Sequence, residues 1–258
     1  MSFPLRRLFL LVFTVFLPLN VYSMTAHEIL ERVAKETLTD SFRISLAVQT
    51  FRGQKLKSKH VLWFMGRMKD DVSKIFIEFE EPKESKGLRF LFEIRPTQES
   101  AAFMYLPATR RTLPLAMDDP SVDLGGTGLT MDDIQGFMPQ SGEEEAVLKE
   151  EKVDGRDCYV IRIILPKGKG ERLVWVSKKD FIVVKAQNTD AHGKVVRSFR
   201  VTEFFKTENG KEFPREEEIS IPAKNTKIRL RQESAVFGTE LPDEITDSEK
   251  FGTFKWKN

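Results

Sequence analysis

Cysteine is almost missing from this chain: Cys158 stands alone among 258 residues. That excludes an internal disulfide framework and leaves stability to a packed core. Histidine is scarce as well. His27, His60 and His192 fall in a helical pattern, at the start of a strand pattern and in a turn pattern, so no two have zinc-ligand spacing. There is no G-x-S-x-G elbow, and Cys158 lies within a strand-like run rather than at the strand-to-helix junction where a thiolate is activated. The paired acids Asp118-Asp119 and Asp132-Asp133 read as loop and helix-start residues, where aspartate serves local hydrogen bonding and the helix dipole. The expectation is a protein that is not an enzyme and that carries neither metal nor cofactor.

Long apolar runs are missing too, with one exception at residues 8–17. It follows Arg6 and Arg7 and gives way to Pro18 and the triplet Val21-Tyr22-Ser23, the order of an export signal. The run is about half the roughly 20 residues that cross a bilayer. Residues 1–23 are therefore expected to be a signal peptide cleaved near Ser23, leaving 24–258 as the exported, soluble part. Position 24 is Met rather than Cys, so lipid attachment of the lipoprotein type is not expected.

An excess of one charge is the last absence. Without Arg6 and Arg7 the 41 basic residues become 39, against 39 acidic ones. A neutral, mixed surface gives a polyanion no footprint, which argues against nucleic acid as a partner.

What is present is alternation. Residues 25–38 place Ile29, Leu30, Val33, Ala34 and Leu38 at helical spacing, with Thr25 and Glu28 as a capping box. From Ser41 the period becomes two: Phe42, Ile44, Leu46 and Val48 share one side. Further strands are expected near 59–67, 73–79, 87–94 and 101–105. After a central interruption, Asp154-Gly155, His192-Gly193 and Asn209-Gly210 punctuate a second set as hairpin turns. The runs amount to about ten or eleven strands without βαβ spacers, hence an antiparallel sheet. The remaining residues suffice for one large β domain or two small ones.

Several strands are apolar on both sides. In 158–165, Cys158, Val160 and Ile164 alternate with Tyr159, Ile161, Ile163 and Leu165, and in 88–94 Leu88, Phe90, Phe92 and Ile94 alternate with Arg89, Leu91 and Glu93. Either both faces are covered, or one lines an apolar cavity. The central interruption carries the basic turn Arg110-Arg111 and the cluster Gly125-Gly126-Thr127-Gly128, read as a flexible loop. Thr130 and Asp133 then cap a short helix containing Met131, Ile134 and Phe137. The glycine cluster lacks the lysine of a phosphate-binding loop and has acids on both sides.

The stretch MYLPATRRTLPLAM, the glycines and LTMDDI resemble the most characteristic part of the LolA-like outer membrane lipoprotein-sorting family. EKVDGRDCYVIRIILPKGK, DAHGKVVRSFRVTEFFKTENGKEFPREEEIS and LPDEITDSEKF are similar to its later hairpins and ending. The resemblance covers nearly all of 24–258, and departs from the family where Gly125-Gly126-Thr127-Gly128 replaces the usual glycine-serine-aspartate core of the loop. It implies a mainly β (α+β) fold: a strongly curved antiparallel sheet, an unclosed half-barrel of about 11 strands, with short helices on the concave side. It implies an apolar cavity for lipid or lipoprotein acyl chains and so decides between the two explanations of the two-faced strands. The chain would then be a periplasmic carrier or chaperone, receiving its cargo from an inner-membrane transporter and passing it to an outer-membrane acceptor. The alternatives are a regulatory sensor of the RseB/MucB kind and an accessory subunit of a membrane lipid exporter. Candidate cavity residues are Phe42, Ile44, Leu46, Trp63, Phe90, Phe92 and Phe103 on the sheet, with Met131, Ile134 and Phe137 on the lid.

Overall fold

The period-two pattern resolves into thirteen antiparallel strands in a single sheet. A computed structural model describes residues 24–38, 41–69, 72–95, 99–117, 122–135, 144–165, 168–206, 210 and 212–255. The expected signal segment, Asn209 and Phe137 lie outside these described residues.

Helix α1 (Ala26–Leu38) precedes β1 (Phe42–Arg52), β2 (Lys55–Lys69), β3 (Val72–Glu81), β4 (Arg89–Ile94), β5 (Ala101–Leu106) and β6 (Arg111–Leu115). Short helix α2 (Met131–Gln135) follows, then β7 (Glu144–Val153), β8 (Arg156–Ile164), β9 (Glu171–Ser177) and β10 (Val183–Thr189). The chain ends through β11 (Val195–Lys206), β12 (Glu212–Ile221), β13 (Thr226–Phe237) and a 3-10 turn at Asp243–Thr246. The strands number more than the eleven expected, and the edges of the sheet explain why. Strand β6 begins at Arg111, read from sequence as part of a basic turn, and contains Pro114. Strand β7 (EEAVLKEEKV) is mostly charged. Proline and charge are what an edge strand needs to resist pairing with another chain, and they also hide the strand pattern.

The order β6-β5-β4-β3-β2-β1-β13-β12-β11-β10-β9-β8-β7 is two meanders joined at a β1–β13 seam. The first meander runs outward from β1 to the β6 edge, and the second returns from the opposite edge, β7, to β13. The chain must therefore cross between the two free edges, and the glycine cluster and α2 belong to that crossing. The sheet is not closed, because β6 and β7 do not pair.

Each face has its own apolar clusters. On the concave face, Leu46, Leu62, Ile75, Ile77, Phe90 and Phe92 pack with Leu124, Leu129, Met131 and Ile134 of the crossing segment. Farther along that face, α1 lays Ala26, Ile29, Leu30 and Val33 on Ile161, Ile163, Val174, Val176 and Val183. On the convex face, Met65, Phe76 and Leu91 are covered by Leu241, Ile245 and Phe251 of the C-terminal segment. Arg89 fastens that cover, donating from Nη1 to the carbonyls of Phe251 and Gly252 (2.8 and 2.9 Å) and from Nη2 to Glu78 (2.7 Å). Cys158 and Val160 join Trp175 and Val184 in a second convex cluster, where burial pushes the Cys158 thiol up, away from thiolate chemistry. The two-faced strands thus serve both explanations at once: the convex side is covered, and the concave side borders a cavity.

Local signals hold as expected. The Thr25 amide donates to Glu28 (2.7 Å) and the Glu28 amide to Thr25 Oγ1 (3.2 Å), which closes the capping box of α1. Asp154 and Gly155 both take positive φ (48° and 82°), the geometry of a type I′ turn.

Candidate functional site

Where α1, the crossing segment and the concave face fail to meet, they leave a cavity of about 320 Å³. Its walls come from both meanders: Phe42, Ile44, Leu46, Leu62, Phe64 and Ile77 on one side, Val183, Ala186, Phe199, Ile219 and Leu230 on the other. Val33 of α1 and Leu124, Leu129 and Ile134 of the crossing segment roof it. The register explains the walls, because Leu46 lies opposite Leu62 and Ile44 opposite Phe64, so alternate residues of neighbouring strands reach the same face. Room for the Phe42 ring comes from Gly66, its partner on β2. A Cβ at Gly66 would sit 2.6 Å from Phe42 Cζ. The volume lies at the lower end of the roughly 300–1,000 Å³ of small-molecule sites.

Of the residues singled out in the sequence, Phe42, Ile44, Leu46 and Ile134 line this cavity. Phe90, Phe92 and Met131 belong to the packed cluster on the same concave side but are not among its lining residues. Trp63 and Phe103 are corrections: both lie on the convex face, in the cluster covered by the C-terminal segment. The cause is parity, since Leu62 and Phe64 point to the cavity and Trp63 between them must point away.

The glycine-rich loop departs from its expected flexibility. Leu124 and Thr127 are buried, Thr127 Oγ1 donates to the Leu124 carbonyl (2.7 Å) and receives the Leu129 amide (3.1 Å), and Thr50 Oγ1 donates to the Thr127 carbonyl (2.6 Å). Positive φ at Gly125, Gly126 and Gly128 permits this folding, and the loop packs against Phe79 and His60. Burial lowers the pKa of His60, with Asp123 opposing.

Thr130 and Asp133 form the expected cap: the Thr130 amide donates to Asp133 Oδ2 (2.8 Å). Asp133 does a second job that the sequence did not disclose. Arg197 of β11 donates from Nε to its Oδ1 (2.7 Å) and from Nη2 to its Oδ2, and also from Nη2 to the Gly128 carbonyl (3.1 Å). A bidentate pair between half-buried groups therefore ties the roof to the second meander.

Two more polar side chains reach the cavity from adjacent strands. Glu217 of β12 faces it opposite Leu230, and Gln232 of β13 faces it opposite Leu46. Glu217 is half-buried, and burial pushes its carboxyl up to about 7.

The model of a family described only as uncharacterized proteins matches residues 71–251, more than half of the chain. The chain belongs to that family. Its fold is shared with an outer membrane lipoprotein-sorting protein domain from Vibrio parahaemolyticus. That likeness has a TM-score of 0.78 at 16% identity and covers 88% of this chain and 98% of the other. A DUF1329 family protein from Desulfovibrio piger is similar at a TM-score of 0.76 and 18% identity, covering 86% and 95%. A LolA superfamily protein from Nitrosomonas europaea is similar at 0.62 and 19%, covering 87% and 98%. No curated protein matches the chain in sequence. The fold is therefore LolA-like, as the sequence resemblance implied. Among the described residues no helix is long and apolar enough to cross a membrane.

Proposed function

We propose that this protein is a non-enzymatic carrier or chaperone that holds the acyl chain of a lipid or lipoprotein in the cavity. The carrying observation is the cavity itself, walled by side chains of both meanders and roofed by two helices that are separate from the sheet. An exposed acyl chain costs about 0.8 kcal/mol per CH₂ in water, so a carrier between membranes has to bury it. A roof made of α1 and α2 moves without unpairing any strand, which suits loading and release. The likeness of the fold to that of the lipoprotein-sorting domain supports the same reading. In this reading residues 1–23 are removed near Ser23, and the remainder works in the periplasm. An inner-membrane donor and an outer-membrane acceptor are its partners.

Native mass spectrometry of the protein isolated from its own cell envelope tests this. The expected result is an added mass that organic extraction removes and identifies as an acyl compound. An empty protein that also fails to bind acyl-chain probes would overturn it.

A further inference from the structure

Three consecutive glutamates on β12 have different fates. Glu216 meets Arg231 at 3.2 Å and Arg229 at 3.5 Å, and Glu218 meets Lys227 at 2.9 Å, all on the outer side. Glu217 between them turns into the cavity, and among the described residues nothing donates to it or pairs with it. On the neighbouring strand Gln232 lies two residues beyond Leu230, the residue opposite Glu217, and its buried Oε1 accepts no hydrogen bond. A buried polar atom without a partner costs about 1–3 kcal/mol, so Gln232 Oε1, with the unpaired and half-buried Glu217 carboxyl on the same face of a largely apolar cavity, calls for a partner. The cavity's other charged groups are Glu36 of α1, Asp132 and Asp133 of α2, Arg172 of β9 and Arg197 of β11. Asp133 and Arg197 satisfy each other, and Arg172 donates to Asn188 (3.1 Å).

Resting on the acyl-chain reading of the cavity, we propose that Glu217 and Gln232 form its polar station. They recognise, on an otherwise apolar chain, one uncharged group that both donates and accepts hydrogen bonds, such as an amide or a hydroxyl. A protonated carboxyl and a carboxamide each offer one donor and one acceptor along the same line, which is the complement of an amide. An anionic group would gain no compensating charge from a neutral carboxyl and a carboxamide, and a plain hydrocarbon would leave both side chains unpartnered.

The test is displacement of N-phenylnaphthylamine from the protein by ligands with chains of ten or eleven carbons: decanamide, decanol, n-undecane, decylamine and decyl sulfate. At about pH 6, where Glu217 keeps its proton, decanamide and decanol should displace the fluorophore at roughly tenfold lower concentration than n-undecane. Glu217→Leu and Gln232→Leu should each shrink that preference to about twofold while n-undecane binds as well as before, which also shows that the variants fold. Raising the pH to about 8 should weaken decanamide in the parent protein and leave Glu217→Gln unchanged. A preference that survives both leucine substitutions overturns the station, as does a preference for decylamine that grows with pH. In either case the cavity as an acyl-chain site stands. If none of the five ligands displaces the fluorophore, both readings fall together.

Discussion

Glu217 illustrates how little a single residue's type says about its role. In the run Arg215-Glu216-Glu217-Glu218 the three acids are alike in sequence, yet the outer pair is bridged to cations and the middle one lies in apolar surroundings. The signal that separates them is parity, because Glu217 shares its face with Ile219. The same parity, applied from Leu62, would have removed Trp63 from the candidate wall. It was not decisive in the sequence because the convex face is apolar too. The consequence for Glu217 is measurable. Its carboxyl ordinarily titrates at 4.5 and in the folded chain at about 7, so between those values the folded state holds a proton that the unfolded state has released. Stability contributed by that proton is complete at the acid end and is lost as the pH rises through about 7, by at most about 3 kcal/mol. His60 acts in the opposite direction: burial lowers its pKa from 6.5, so its contribution is lost as the pH falls. Urea midpoints measured between about pH 5 and 8 should therefore decline toward the alkaline side, and Glu217→Gln should flatten that decline while leaving the acid side intact. An alkaline decline that Glu217→Gln does not reduce would show that the carboxyl is hydrated in the folded chain.

Elements were the most legible level. Both capping boxes, the Asp154-Gly155 hairpin and the two-faced strands follow from spacing that needs no tertiary knowledge. The glycine loop reads as flexible in sequence because its packing comes from Thr50, His60 and Phe79, residues that lie far away along the chain. The tie between Arg197 and Asp133 was hidden for the same reason, since the two are 64 residues apart. It joins the roof to β11, so its loss should favour opening. Arg197→Gln removes the bidentate partner and leaves Asp133 free to keep capping α2. Amide exchange across 123–135 should then quicken by about tenfold, the equivalent of one charge-assisted pair, with no change in β8 or β9. Unchanged protection in 123–135 would show that packing by Leu124, Leu129 and Met131 alone holds the roof.

At the scale of the whole molecule, the antiparallel class was legible and the path was not. Counting runs indicates a large sheet but cannot say that its first and last strands meet. Phe42 lies opposite Phe237 and Arg52 opposite Thr226, so the seam joins the two ends of the described sheet in sequence. Those contacts have the longest loops to close and depend on all of the intervening chain. The cavity straddles the seam, with Leu46 and Leu230 among its walls, so neither meander encloses it alone. From this continuity we expect one cooperative unfolding unit over 24–258, in which both meanders are lost together and the binding of an acyl probe raises the stability of both. Intrinsic fluorescence offers a suitable pair of reporters, because Trp63 lies in the first meander and Trp175 in the second. With Trp256 replaced by Phe as well, variants that keep only one of these two tryptophans, the other also replaced by Phe, should give coincident urea transitions, and an acyl probe should shift both midpoints equally. Separated midpoints would show that the seam is a joint between two units rather than the middle of one sheet.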